Sequence, residues 1–286
     1  MHNQLAVSTR NYTAVRTAAW PPSNDMRVTV LMASHNRHKY LGEAIDSALG
    51  QDYSSTEVLV VDDGSDHSTR HWLKRRVAAD HRLSVVFQDH SGVATARARG
   101  LDLARGDLVT ILDSDDLLAP DAVSRIVDLF RRHPETALVY SHLEQLMPGG
   151  EVRRRVYPSF PTNQAMLRAT LLSPRVPFKH SGTTFRREEA LRMGSYDRDL
   201  PCKVDIDLFL KYLSSGKRLR LLEQPPAVTF RVHKQSISSN RKLGIRVWFR
   251  LIDRYGPKSY TMRAAIKALR ASSETLKAGY MLARVR

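Results

Sequence analysis

Short, uninterrupted apolar runs alternate with stretches of helical periodicity through the first half of the chain, and this alternation restricts the fold more than any other feature. Val28 to Met32, Val58 to Val61, Ser84 to Phe87 and Leu108 to Leu112 are such runs. A strand buried on both faces of a parallel sheet reads this way, whereas a strand with a wet face alternates polar and apolar residues. Between them, Tyr40, Leu41, Ala44, Ile45, Ala48 and Leu49 recur at helical spacing, and Ser68 to Ala79 and Val93 to Ala104 carry further helical patterns. Strand and helix in turn demand crossover connections. The expected fold is therefore α/β, a mixed but largely parallel Rossmann-like sheet flanked by helices. Ligands of such sheets gather at the carboxyl ends of the strands.

Outside this core the pattern changes. Residues 1–26 lack sustained periodicity and end in Trp20, Pro21, Pro22, Ser23 and Asn24, which predicts an irregular arm with a turn. The body is expected to span 27–239. A helical pattern follows Pro120 and runs to Arg132, Ala137 to Tyr140 resumes a strand, Asp205 to Leu213 is helical and Ala227 to Val232 is a strand. Between Pro148 and Pro177 prolines and arginines leave a weak signal, read as loops. Residues 240–286 form a basic amphipathic helical extension. There Arg241, Lys242, Arg246, Arg250, Arg254, Lys258, Arg263, Lys267, Arg270, Lys277, Arg284 and Arg286 face only Asp253 and Glu274 as acids, with Ile245, Trp248, Phe249 and Ile252 interleaved.

The formal net charge of +16 over 286 residues favours an anionic partner without choosing one. No apolar run approaches the roughly 20 residues that span a bilayer, and the N-terminal stretch lacks the apolar centre of a signal peptide, so a cytoplasmic location is expected. Cys202 is the only cysteine, which excludes an internal disulfide framework and a cysteine-based zinc cluster.

Two acidic groups follow buried strands: Asp62-Asp63-Gly64-Ser65 and Asp113-Ser114-Asp115-Asp116. Carboxylates packed this densely repel one another unless a cation or strong donors lie among them. Mg²⁺ and Mn²⁺ take oxygen ligands, are held by one or two carboxylates, and complete their shells with water and substrate phosphate. Asp-Gly and Asp-Ser are also ordinary turn chemistry, so either group alone admits a purely structural reading.

These groups belong to a longer ordered series. Ser34-His35-Asn36-Arg37 follows the first strand, Gln51-Asp52-Tyr53 the first helix, and Ser91-Gly92-Val93, Ala96-Arg97, Gly100 and Ala104-Arg105-Gly106-Asp107 precede the second acidic group. The series, from about Val28 to Val232, resembles the family 2 glycosyltransferases of the GT-A fold. The resemblance implies an inverting, nucleotide-sugar-dependent enzyme, with 27–121 as the nucleotide-sugar-binding half and 122–239 as the acceptor-binding half. It implies donor contacts at Ala33, Ser34, Asn36, Arg37, Asp63, Gly92, Arg97, Asp113, Ser114 and Asp115, with Asp63 at the nucleobase and Arg97 at phosphate. It further implies that Asp115 and Asp116, with His233, hold Mn²⁺ or Mg²⁺, and that a UDP-sugar is the foremost donor. Ala33 and Ala98 depart from the residues common in relatives at those places.

Transfer to a hydroxyl requires removal of its proton, and a positioned carboxylate suits that task. Val204-Asp205-Ile206-Asp207-Leu208 resembles the family's late acidic element, with valine replacing the first acid. This implies Asp205 as the catalytic base and Asp207 as a structural acid near the helix start. His180-Ser181-Gly182 falls where relatives have an acceptor-side loop. Cys202 receives no role.

Two rivals stand beside this reading. A sugar nucleotidyltransferase shares acidic metal ligands on an α/β fold, but it leans on a glycine-rich phosphate loop, and Ala33 to Tyr40 contains no glycine. A nucleic-acid-binding protein acting through the basic extension is the other. For the transferase, the expected partners are the donor and a hydroxyl-bearing acceptor (glycan, lipid-linked or small molecule), with no specific nucleic-acid binding. The extension is read as a peripheral membrane contact, an anchor for an anionic acceptor, a partner contact, or a lid on the catalytic body.

Overall fold

The computed structural model describes residues 5–9, 12–16, 25–173, 176–233 and 241–283, and their side chains at 12–15, 25–173, 176–233 and 242–273. The first elements correct the reading of 1–26 as irregular. β1 (Leu5–Thr9) and β2 (Tyr12–Arg16) form an antiparallel hairpin. The turn expected at Trp20 to Asn24 lies outside the described residues. These strands are five residues each and rich in Ser and Thr, so they carry no buried run of their own. Their cause is a distant partner, a sheet edge that β2 covers.

The parallel core follows as expected: β3 (Val28–Ser34), α1 (His38–Leu49), β4 (Thr56–Asp63), α2 (His67–Ala79), β5 (Leu83–Gln88), α3 (Val93–Leu103) and β6 (Leu108–Ile111). β5, β4, β3 and β6 lie side by side in parallel, and β2 pairs antiparallel with β5. Every residue of β4 is buried, which is why Val58 to Val61 is an unbroken apolar run up to the acids at its end. α3 lies close on the sheet because Gly100 offers no side chain; a Cβ there would sit 2.3 Å from Leu31 Cδ1.

Next come β7 (Leu117–Leu118), α4 (Ala122–Arg132), β8 (Thr136–Ser141), β9 (Leu143–Leu146), β10 (Val152–Arg155) and α5 (Asn163–Leu172). The stretch between Pro148 and Pro177 is thus more ordered than its sequence suggests. β9 and β10 make a hairpin, and α5 begins where the Thr162 side chain accepts a hydrogen bond from the Ala165 amide. β11 (Thr184–Arg186), α6 (Arg187–Arg192), α7 (Val204–Ser214), β12 (Arg218–Leu222) and β13 (Val228–Arg231) complete the body. Among the described residues, the large sheet has nine strands in the order β1-β2-β5-β4-β3-β6-β11-β8-β12, and β10-β9-β13-β7 form a second sheet of four. β11 runs antiparallel between β6 and β8, so the sheet is mixed.

The basic extension is helical, as α8 (Arg241–Tyr255) and α9 (Tyr260–Ala283). Both pack on the body. Val247, Trp248, Leu251 and Ile252 of α8 are buried. On α9, Arg270 is 2% exposed; its guanidinium donates to the Thr170 and Ser173 carbonyls at the end of α5 and lies 3.6 Å from the Trp248 ring centroid. The basic side chains of Arg241, Lys277, Arg284 and Arg286 lie outside those described. Among the described residues no helix is long and apolar enough to cross a membrane.

Candidate active site

β3, β4 and β6 end on one rim, and the loops after β3 and β6 and the start of α3 meet α7 and the end of β13 around a cavity of 540 Å³. Of the residues expected to touch donor, metal or acceptor, Ala33, Arg37, Arg97, Asp113, Ser114, Asp115, His180, Asp205 and His233 line it. Sequence positions from 33 to 244 are brought together here.

Asp113 is shared by two cations. Arg97 Nη2 donates to its Oδ1 at 2.6 Å and Lys179 Nζ lies 4.0 Å from Oδ2. Burial pushes the Asp113 carboxyl up, but Arg97 and Lys179 outweigh it and hold the group below the usual range. Burial likewise opposes the charge of Arg97, and Asp113 more than offsets that. Lys179 went unnoticed in the sequence, because its place over the Phe230 ring, 3.8 Å from the centroid, is a purely tertiary fact.

Asp115 meets His233 at the cavity wall, Oδ2 to Nε2 at hydrogen-bond distance, 2.8 Å, with Arg37 Nη1 3.9 Å from the same oxygen. Tyr40 stacks on the imidazole at 5.6 Å between centroids. The pair suits a divalent cation: adjacent ligands at about 2.1 Å from an octahedral ion stand about 3.0 Å apart, and carboxylate with imidazole suits Mn²⁺. Among the described residues no group of three or more His, Cys, Asp or Glu is placed to hold a metal, so the remaining positions would fall to diphosphate and water.

Asp116 is elsewhere. It was expected as a metal ligand, but it is fully buried, accepts a hydrogen bond from the Arg231 amide at 3.0 Å and is absent from the cavity wall. Burial, reinforced by Asp113, pushes its carboxyl up to about 8. The Asp116 amide donates to the Asp113 carbonyl, and where Asp113, Ser114 and Asp115 line the cavity, Asp116 turns into the interior.

Asp63 likewise lies beneath the rim and not on the cavity wall. Its Oδ1 accepts from the Ser91 amide and Gln88 Nε2 at 2.8 and 2.6 Å, and its Oδ2 from the Gly92 amide at 2.9 Å. The carboxylate expected at the nucleobase therefore organises the loop that starts α3, where Gly92 has φ +87°. Ser34 is buried. Asn36, at φ 51°, ties this loop to the next: its amide donates to Ser65 Oγ, and its Oδ1 accepts from the Asp66 amide, both at 2.9 Å.

Asp205 lies in the first turn of α7, near the positive end of the helix dipole. Its field reaches Arg97, His180 and Tyr196. His180 lines the cavity but is almost wholly buried, with Nε2 2.9 Å from Tyr196 Oη; burial and then Arg97 hold its imidazole down at about 3, so it stands in the floor as a neutral group. Ser181 Oγ accepts from the Asp113 amide at 3.2 Å. Asp207, two positions after Asp205, is fully buried and bound by Arg254 Nη1 at 2.8 Å and Tyr255 Oη at 2.7 Å, both from α8. Leu243 and Gly244 of α8 complete the cavity wall, so the extension contributes to the site. A Cβ at Gly244 would meet Lys203 Cε at 3.4 Å.

Chondroitin synthase of Escherichia coli is 35% identical over 114 residues, 40% of this chain and 17% of that protein. The chain thus spans a minor part of that relative. The crystal structure of S. aureus TarS 1–349 in complex with UDP-GlcNAc superposes with a TM-score of 0.66 at 17% identity, covering 87% of this chain and 72% of that one. GalNAc-T7 with UDP, GalNAc and Mn²⁺ gives 0.60 at 15% identity, over 81% of this chain and 48% of that one. Likeness at such identities speaks for the GT-A fold alone. The family model described as glycosyl transferase family 2 matches residues 29–194. With more than half its length matched, the chain belongs to glycosyl transferase family 2.

Proposed function

We propose that this chain is a metal-dependent, inverting glycosyltransferase that moves a sugar from a nucleotide-diphosphate sugar, foremost a UDP-sugar, to an acceptor hydroxyl. The observation that carries this reading is the shared cavity, lined by Asp205, by the Asp115–His233 pair and by Arg37, Arg97 and Lys179. TarS bound to UDP-GlcNAc and GalNAc-T7 bound to UDP and Mn²⁺ support the choice of nucleotide and ion.

In this reading Arg37, Arg97 and Lys179 orient the diphosphate, with the guanidinium forks matched to phosphate oxygens. Asp115 and His233 would hold Mn²⁺ or Mg²⁺, which when bound neutralises charge developing on the departing diphosphate. Asp205 takes the acceptor's hydroxyl proton while that oxygen attacks the anomeric carbon from the face opposite the leaving group. The new C–O bond forms as the bond to the diphosphate breaks, and the configuration inverts. Asp63 supports the base from below through the Ser91–Gly92 loop. The acceptor is a glycan, a lipid-linked sugar or a small molecule.

A hydrolysis screen of nucleotide sugars with and without Mn²⁺ tests the proposal, since many transferases slowly pass the donor sugar to water. We expect Mn²⁺-dependent release of nucleoside diphosphate from at least one donor. Release of pyrophosphate, or no donor binding by calorimetry, would overturn it.

A further inference from the structure

A second and larger cavity, 890 Å³, lies between α5, the end of α7 and the start of α9. It shares no lining residue with the transfer site. Its walls are largely aliphatic, with Leu167, Leu171, Met262 and Ile266 among them, and its rim leaves apolar surface in water: Leu172 is 42% exposed and Met262 57%. Further along the same helix, Leu269 is 51% exposed. Hydrophobic side chains gathered at the mouth of an apolar cavity mark a binding surface more often than an ordinary solvated face.

Two arginines decide what kind of molecule fits. Arg168 and Arg218 line this cavity, both are exposed, and neither has an acidic partner among the described residues. This contrasts with Arg131, Arg192, Arg220, Arg254 and Arg263, each of which has one. An aliphatic chamber with unpaired guanidinium groups at its edge complements an amphiphile with an anionic head: the forks take phosphate oxygens, and the chamber takes a hydrocarbon chain.

We propose that this cavity binds an anionic phospholipid of a membrane surface, an acyl chain entering between α5 and α9 while Arg168 and Arg218 hold the headgroup phosphate. The site does not depend on the transfer chemistry. It turns the basic extension from a general electrostatic attraction into a defined point of attachment. Seated this way, the protein lies on the bilayer by the α5–α9 face.

Flotation of the full chain with vesicles tests this, using phosphatidylcholine alone and phosphatidylcholine with phosphatidylglycerol. Binding is expected only to the anionic vesicles. The double variant Arg168→Gln/Arg218→Gln should bind about thirtyfold more weakly, each basic side chain at an anionic surface contributing on the order of fivefold. Met262→Asp, at an exposed rim position, should also lose binding while its thermal unfolding stays that of the parent chain. In Ala265→Trp, the indole placed on the cavity wall should be quenched by phosphatidylglycerol with brominated acyl chains and not by soluble glycerophosphoglycerol. Undiminished vesicle binding by both the double variant and Met262→Asp would overturn the proposal, because other charges would then suffice. So would bound vesicles without quenching, protection by the soluble headgroup alone, or self-association abolished by Met262→Asp with no vesicle binding. None of these outcomes depends on finding a donor sugar.

Discussion

Asp205 and His180 share one neighbourhood and have opposite tasks. A proton acceptor must be reachable, and Asp205 stands on the cavity wall. Replacing it by Asn keeps its size and removes its basicity, so transfer should fall by roughly 10²–10⁴-fold with donor affinity nearly unchanged; steady-state kinetics beside calorimetric donor binding checks this. His180 instead resists protonation, held near 3 against an ordinary 6.5 by burial and then by Arg97. The folded state refuses a proton that the unfolded chain accepts. Its contribution to stability is therefore complete above about pH 6.5 and is lost as pH falls toward 3, at up to about 1.4 kcal/mol per unit. Urea unfolding across that range should show a shallower acid loss in His180→Asn than in the parent chain. At this scale the sequence is least explicit. It shows acids at two strand ends, but not that Asp115 faces the cavity while Asp116 and Asp63 point inward. Position in the turn alone does not say which carboxylate leaves the cavity, and only the tertiary partners, the Arg231, Ser91 and Gly92 amides, reveal which are already engaged.

Among the elements, α7 shows how a helix can be held from behind. Its first turn carries Asp205 toward the cavity and Asp207 into the interior, where Arg254 and Tyr255 receive it. The sequence reading of Asp207 as an acid stabilised by the helix dipole thus misses its main partners. Removing the α8 donors leaves a buried carboxylate undersatisfied, so Arg254→Met should destabilise the chain by on the order of 1–3 kcal/mol, read by urea unfolding. Gly100→Ala tests the contact of α3 with the sheet: the added methyl meets Leu31 and Val61 side chains, and overpacking should cost about 1–3 kcal/mol. The central elements were legible because parallel strands buried on both faces leave continuous apolar runs. β1, β2, β11 and β12 were not. Each is five residues or fewer; β2, β11 and β12 find their places through partners distant in sequence, and β1 follows by pairing with β2. α5 was hidden because its pattern sits among prolines and arginines that read as loop.

For the molecule as a whole, the two ends of the chain finish what the middle begins. The N-terminal hairpin covers β5, which would otherwise leave a row of unpaired backbone groups at a sheet edge. Deleting residues 1–17 should make the protein associate as its concentration rises, as light scattering would register. The overall α/β plan and its rim were readable from the runs and the ordered motif series, whereas the incorporation of both termini was not, since amphipathic or polar segments do not announce their docking site. Arg270 illustrates what this incorporation entails. It plugs the open end of α5 and lies over the Trp248 ring of α8, so α5 and the last two helices, far from it in sequence, share a single keystone. Lysine offers no planar fork for two carbonyls and an indole at once. In kindred chains, the arginine and the tryptophan should accordingly be inherited or lost together, and a lineage that discards them should also have dispensed with the last two helices.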